Sequence, residues 1–214
     1  MGVDPAGMRR SYQAGALDEH DLAPTPEEQF AHWLADAVAA GVREPNAMTL
    51  ATASADGRPS ARMVLLKAYD ERGFAFYTNL RSRKGLELQG NPRAALVFPW
   101  LALERQVTVT GDVELVPREE VTAYFASRPR GSRVGAWASP QSQVVAAREV
   151  LEERYAELDA RFGDEVPVPE HWGGFRVVPL TVEFWQGRPS RMHDRLRFAR
   201  ESPAARWRVE RLAP

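Results

Sequence analysis

The spacing of apolar positions changes along this chain, and each change marks a different kind of element. Residues 1–24 are polar, mixed in charge and weakly periodic, and read as an extended or mobile arm. A helical stripe follows. Thr25 is placed to cap it, Pro26 to take its first position and Glu28 to complete a capping box. Phe30, Trp33, Leu34, Ala37 and Val38 share one face, and Gly41 is a stop signal. The period then shortens. Residues 48–53, 60–69 and 74–78 are short apolar or alternating runs, parted by Ala55-Asp56-Gly57 and Asp70-Glu71-Arg72-Gly73, which read as hairpin turns.

A short helix is expected to open at Ser82 and stop near Gly90-Asn91-Pro92, followed by strands over 94–100 and 105–116. Pro117, Glu119 and Glu120 begin another helix carrying Val121, Tyr124 and Phe125, and residues 128–133 read as a loop. The longest helix is expected from about Gln143 to Phe162, with Val144, Leu151, Tyr155, Leu158 and Phe162 on one face. Strands near 175–185, 196–200 and 207–212 complete the chain. Successive hairpins with inserted helices predict a mainly β chain of the α+β kind, a small barrel rather than a parallel sheet. No glycine-rich strand-to-helix fingerprint suggests a Rossmann domain. The expected organisation is an arm over 1–24 and a single domain over 25–214.

Composition narrows the chemistry. The chain has 214 residues, 44% hydrophobic and 27% charged, which suits one soluble domain with a sizeable core. A formal net charge of −1 gives no support to non-specific attraction to nucleic acid or anionic membrane. Any anion site must come from a local cluster. With no cysteine, disulfides, thiolate metal sites and cysteine nucleophiles are excluded. The four histidines lack zinc-ligand spacing, so no metal is expected. No apolar run resembles a signal peptide or a membrane span, so a cytoplasmic location is expected.

Local cationic clusters carry the functional signal. Tyr77-Thr78-Asn79 ends a strand, and Ser82-Arg83-Lys84 then opens a helix with two cations in its first turn. Those cations oppose the helix dipole unless an anion sits there, which points to a phosphate site. Arg62 and Lys67 lie five positions apart in one apolar run, where period-2 geometry sends them to opposite faces. They read either as anion ligands or as guards of an edge strand. Tyr124, Arg128, Arg130, Ser132 and Arg133 offer a phenol, guanidinium groups and hydroxyls, either for a second phosphate or simply to water. His193, between Arg191 and Arg195 and beside Asp194, is the acid/base candidate, though no Ser–His–Asp spacing accompanies it. Trp185 suits either stacking on a flat cofactor or a place in the core. Two phosphorylated ligands and few nucleophiles favour a cofactor that carries the chemistry.

In their order, these residues resemble the pyridoxine/pyridoxamine 5'-phosphate oxidase family over about 8–214. The carriers are Arg9-Arg10-Ser11-Tyr12, Arg62 to Lys67, Phe76 to Asn79, Ser82-Arg83-Lys84, Phe98-Pro99-Trp100 and Glu104 to Val107. They continue through Ser127 to Arg130, Gly135-Ala136-Trp137, Gln141-Ser142, Trp172 to Arg176, Glu183 to Gly187, Arg191 to Arg195 and Arg211 to Pro214. The resemblance implies an FMN-binding split β-barrel, assembled as a homodimer. It implies FMN contacts at Arg62, Lys67, Tyr77, Thr78, Arg83, Lys84, Gln106, Gln141, Ser142, Trp185 and Arg195. Lys67, Tyr124, Arg128 and Ser132 would cradle the substrate phosphate. Arg191 and His193 would lie against the substrate ring as catalytic residues, with Arg9 and Tyr12 reaching over as part of a lid. The implied reaction oxidises pyridoxamine 5'-phosphate and pyridoxine 5'-phosphate to pyridoxal 5'-phosphate, with hydride transfer to FMN and reoxidation by O2 to H2O2.

Two departures from the family pattern stand out: Arg81 before the Ser-Arg-Lys motif, and Arg188-Pro189-Ser190 before Arg191. The competing readings are a phenazine-pathway oxidase of the same fold, a non-catalytic flavin or pyridoxal-phosphate carrier, and a nucleic-acid-binding barrel. The retained phosphate cradle argues against the first, retained Arg191 and His193 against the second, and the net charge against the third.

Overall fold

The computed structural model describes residues 4, 5, 8 and 11–214. Among them are five α-helices: α1 (Pro26–Ala39), α2 (Arg83–Gly90), α3 (Arg118–Ser127), α4 (Arg130–Ala138) and α5 (Arg148–Arg161). The strands are β1 (Ala47–Ala53), β2 (Pro59–Leu65), β3 (Ala68–Asp70), β4 (Gly73–Asn79), β5 (Arg93–Trp100), β6 (Arg105–Leu115), β7 (Trp172–Gln186), β8 (Asp194–Ala199) and β9 (Arg208–Arg211). Hydrogen-bonded neighbours run β2-β1-β5-β6-β7-β4-β3, with β8 on β7 and β9 on β8. The β3–β4, β4–β7, β7–β8 and β8–β9 registers are antiparallel. A mainly β chain with inserted helices is what the alternating periods predict. No helix among the described residues is long and apolar enough to cross a membrane.

The chain divides into two compact units. The first takes the described residues of Met1–Thr49, with Ala95–Thr110 and Pro179–Pro214. Here Thr25 Oγ1 accepts the Glu28 N–H at 3.3 Å and Pro26 opens α1, as capping chemistry dictates. Phe30, Trp33 and Ala37 are buried, whereas Val38 is exposed, so the stripe is narrower than its apolar content. Phe30 packs edge-on against Phe98 (4.9 Å between centroids), and Trp33 against Phe184 (5.2 Å). Part of the N-terminal segment is docked in this unit: Leu17 is buried, Asp18 caps a short 3-10 turn, and Arg211 holds Glu19 at 2.6 Å.

The second unit takes Leu50–Ala94 and Gly111–Val178. The apolar run 60–69 is two strands, β2 and β3, and Lys67 lies in the break, where its N–H bonds to the Ala75 carbonyl at 2.9 Å. Arg62 and Lys67 therefore do not share a strand, and the opposite-face argument fails. β3 and β4 close on a two-residue turn in which the Asp70 carboxylate accepts the Arg72 N–H. Residues 130–138 are helical, including 130–133, which the sequence suggests are loop. Pro129 caps α4 with the extended backbone that precedes a first turn, and Val134, Ala136 and Ala138 are buried. Gly131 and Ser132 resemble turn residues in sequence, yet they occupy that first turn. The helix expected from Gln143 begins only at Arg148; Val144 lies outside it, fully exposed, and α5 buries no residue. Its apolar positions merely flank a core of Val116, Val121, Phe125, Val134, Val166 and Trp172, against which Tyr155, Leu158 and Phe162 pack half-buried.

Candidate active site

In the second unit, α2 begins where β4 ends. Ser82 caps the helix through its Oγ, which accepts the Gly85 N–H at 3.3 Å. The first turn thereby directs Lys84 inward, only 8% exposed, with its ammonium 3.2 Å from both Thr78 Oγ1 and Gln141 Oε1 and 3.5 Å from Ser82 Oγ. All three partners are neutral. Burial, and after it the Arg62 guanidinium, pushes the Lys84 ammonium below the ordinary lysine range. A buried cation among neutral oxygens is what a phosphate would complete. Thr78 also donates to Gln141 Oε1 at 3.0 Å, which links β4 to the 139–147 segment. Ser142, next in that segment, is exposed in left-handed backbone (φ 71°).

Arg62 and Arg83 meet at Glu87, which sequence reasoning missed. Glu87 Oε2 accepts from Thr52 and Ser60 hydroxyls, both at 2.5 Å, and from Arg62 Nη2 at 3.2 Å; Oε1 accepts from Arg83 Nε at 2.8 Å. Burial pushes this carboxyl up, but the bonds from Ser60, Thr52, Arg83 and Arg62 outweigh it and hold it at about 2. An acidic residue one turn after two cations was the available signal. Its burial was not readable, because Thr52 and Ser60 come from other strands. Arg81 is exposed.

A second cluster in the same unit joins three of the four residues assigned to the substrate phosphate. The Tyr77 and Tyr124 rings stack at 4.0 Å, 13° from parallel, and Lys67 Nζ lies 5.9 Å from the Tyr124 ring centre. Arg128 lies 4.2 Å over the Trp172 ring, and its buried Nη1 has no hydrogen-bond partner among the described residues. Burial lowers the Arg128 guanidinium from its ordinary range and raises the Tyr77 phenol. Ser132 stands exposed in the first turn of α4.

In the first unit, Trp185 sits near the end of β7, half-buried rather than in the core. His193 lies 4.6 Å from it, and Tyr12 lies 5.8 Å from Trp185 and 5.7 Å from His193. These three rings and Arg191 line a cavity of about 590 Å³. The His193 Nδ1 accepts the Arg188 N–H at 3.1 Å, which leaves Nε2 as the ring's other nitrogen for a ligand. Arg191 is exposed, and both it and Ser190 adopt left-handed backbone (φ 62° and 56°), strained for residues with a Cβ. Trp185, Tyr12 and Gln106 line a neighbouring cavity of about 510 Å³ with Glu104 and Arg105. Arg195 is engaged by Glu183 through two bonds, at 2.7 and 3.0 Å. Arg9 lies outside the described residues. Among the described residues there is no group of three or more metal-ligating side chains.

Residues 34–162 match the family model described as pyridoxamine 5'-phosphate oxidase, and residues 172–214 match the pyridoxine 5'-phosphate oxidase C-terminal dimerisation region. The chain is 61% identical to the pyridoxine/pyridoxamine 5'-phosphate oxidase of Frankia alni, over 100% of this chain and 90% of that one. It is 59% identical to the enzyme of the same name from Cupriavidus necator, over 98% of each. Among solved structures it is similar to PhzG from Burkholderia lata 383, in complex with tetrahydrophenazine-1-carboxylic acid. That likeness has a TM-score of 0.86 at 34% identity, over 91% of this chain and 95% of that one. A pyridoxamine 5'-phosphate oxidase-related, FMN-binding protein from Nostoc punctiforme shares the fold, with TM-score 0.71 at 17% identity, over 90% of this chain and 100% of that one. The fold class is therefore the split barrel, and the chain belongs to the pyridoxine/pyridoxamine 5'-phosphate oxidase family of oxidoreductases.

Proposed function

We propose that this chain binds FMN and oxidises pyridoxamine 5'-phosphate and pyridoxine 5'-phosphate to pyridoxal 5'-phosphate. The observation that carries the reading is a pair of incompletely satisfied cations in the second unit, Lys84 buried and Arg128 half-buried. Among the described residues Lys84 has only neutral partners, and the buried Nη1 of Arg128 has none. Each fits a phosphate, and the reaction needs two, one on the cofactor and one on the substrate. In this reading Lys84 and Arg83, with Arg62, Thr78, Gln141 and Ser142, hold the FMN phosphate end. Lys67, Tyr124, Arg128 and Ser132 hold the substrate phosphate. Gln106, Trp185 and Arg195 are further FMN contacts.

FMN, when bound, supplies the hydride acceptor and returns the two electrons to dioxygen as hydrogen peroxide. The residues supply position and proton handling. Arg191 and His193 orient the pyridine ring so that its 4' carbon faces the acceptor; with Nδ1 accepting the Arg188 N–H, neutral His193 donates its Nε2–H to the 4' hydroxyl or amine, and the proton that leaves that group passes to water. The alcohol becomes the aldehyde; the amine becomes an imine that water hydrolyses, with release of ammonia. Match of the C-terminal region to a dimerisation model supports a homodimer. Residues 25–214 would then work as one FMN-binding domain with 1–24 as its arm.

The test is an aerobic assay of the purified protein with FMN and pyridoxamine 5'-phosphate, following aldehyde and peroxide together. Equal formation of both is expected. A yellow, folded protein that forms neither would move the substrate to the phenazine type or the role to a carrier.

A further inference from the structure

The segment carrying Tyr12 reaches the ring cavity of the first unit through contacts that the oxidase reading leaves unused. Glu104 Oε2 accepts backbone N–H bonds from Gln13 at 2.6 Å and Ala14 at 2.8 Å, the two residues that follow Tyr12. A carboxylate accepting two successive amides is a directional anchor, because the second bond removes the rotation that one alone would permit. Glu104 itself ends a 3-10 turn (Leu101–Leu103) in left-handed backbone, φ 54°, unusual for a residue with a Cβ. Its carbonyl accepts the Gly187 N–H at 2.7 Å.

Gly187 shapes the same contact. A Cβ there would stand 2.8 Å from Tyr12 Cγ and 3.0 Å from the Cβ atoms of Tyr12 and Glu104. Only a glycine lets the tyrosine and the carboxylate close on one another. Further along, Arg188 Nη1 holds the Gly15 carbonyl and Asp194 holds the Leu17 N–H, both at 3.1 Å. Those bonds fix residues 15–17 and leave the Tyr12 end to Glu104.

We propose that Glu104 is a positioning residue, a carboxylate latch that holds residues 12–14 so that Tyr12 closes on Trp185 and His193. Gly187 provides the space for that closure. The proposal rests on the oxidase reading of this cavity. Glu104 acts on the reaction through Tyr12 and not by touching substrate.

The experiment compares holoenzyme variants Glu104→Gly, Glu104→Gln, Tyr12→Ala and the Glu104→Gly/Tyr12→Ala pair. Glycine suits the left-handed backbone, so Glu104→Gly removes the latch without straining the turn. Glutamine keeps an acceptor oxygen and should restore near-native behaviour. Glu104→Gly is expected to raise KM for pyridoxamine 5'-phosphate at least about tenfold, since it removes two hydrogen bonds to a charged acceptor at a solvent-exposed site, with kcat and FMN affinity little changed. In the Tyr12→Ala background it should add nothing. Hydrogen exchange at the Gln13 and Ala14 amides should quicken in Glu104→Gly, a readout independent of turnover. Additive effects in the pair, or unchanged exchange at those amides, would overturn the latch. A wild-type protein inactive on this substrate would sink the oxidase reading instead, and the exchange experiment would still decide the latch.

Discussion

Lys84 and Glu87 lie three residues apart on one helix and are both buried, yet the protein treats them oppositely. Glu87 accepts four hydrogen bonds, two of them from cations, whereas Lys84 has neutral oxygens alone. Lys84 therefore costs the unliganded protein stability, and that cost is the driving force for an anion. Replacing it by methionine, which keeps the stem, should raise the melting stability of FMN-free protein by about 1 kcal/mol. The same change should weaken FMN by about a hundredfold, since a charge-assisted bond to phosphate is lost. Thermal melts without FMN and a flavin titration decide it; a less stable FMN-free variant would mean Lys84 is structurally satisfied. The sequence exposed this cation because charge against a helix dipole is a local signal. Glu87 stayed hidden because its partners at 52, 60 and 62 reach it only through sheet pairing.

At the scale of elements, the capping chemistry of α1 and α2 was local and therefore legible, down to Thr25, Pro26 and Ser82. The errors at α4 and α5 share a cause. Gly131 and Ser132 have low intrinsic helix propensity, but burial of Val134 and Ala138 overrides it, while the 143–147 stretch is apolar enough to mimic a first turn yet buries none of its side chains. The placement of α2 turns on one close approach. A Cβ on Gly85 would stand 2.3 Å from the Leu80 carbonyl oxygen, a backbone atom that cannot swing aside. Gly85→Ala should thus cost about 3 kcal/mol of stability, through overpacking against backbone. It should also weaken FMN, because the first turn of α2 must move with it. Chemical denaturation and flavin affinity measured on the same variant test both halves; a change in stability alone would detach the α2 position from flavin binding.

For the whole molecule, the alternation of short periods identified a mainly β chain, but not the order of its strands. β7 shows why. Its fifteen residues run past the alternation limits expected for 175–185, because Trp172-Gly173-Gly174 pairs with β4 and not with anything visible nearby in sequence. The site residues were legible as ordered motifs, while their grouping depended on this pairing. A molecule-wide consequence concerns acid. Arg211 holds the Glu19 carboxyl at about 2, and Arg197 and Arg208 lower Glu210. Burial raises Asp70, but its bonds from Arg72 win and lower it, and Glu87 lies at about 2. Each of these groups binds a proton more readily in the unfolded chain. Their stabilisation is therefore complete above the ordinary carboxylate value of 4.5 and is lost as pH falls from there toward about 2. The exposed pair at Glu19 and the partly exposed one at Glu210 are screened by salt, whereas the buried carboxylate of Glu87 is screened much less. In about 1 M salt, where screening acts within a few ångströms, the remaining acid sensitivity should come chiefly from Glu87. Denaturation midpoints of FMN-free protein at neutral and acid pH should then fall less steeply in Glu87→Gln than in wild type, although the variant starts lower. Parallel slopes would assign the acid sensitivity to other carboxylates and leave the Glu87 network as packing alone.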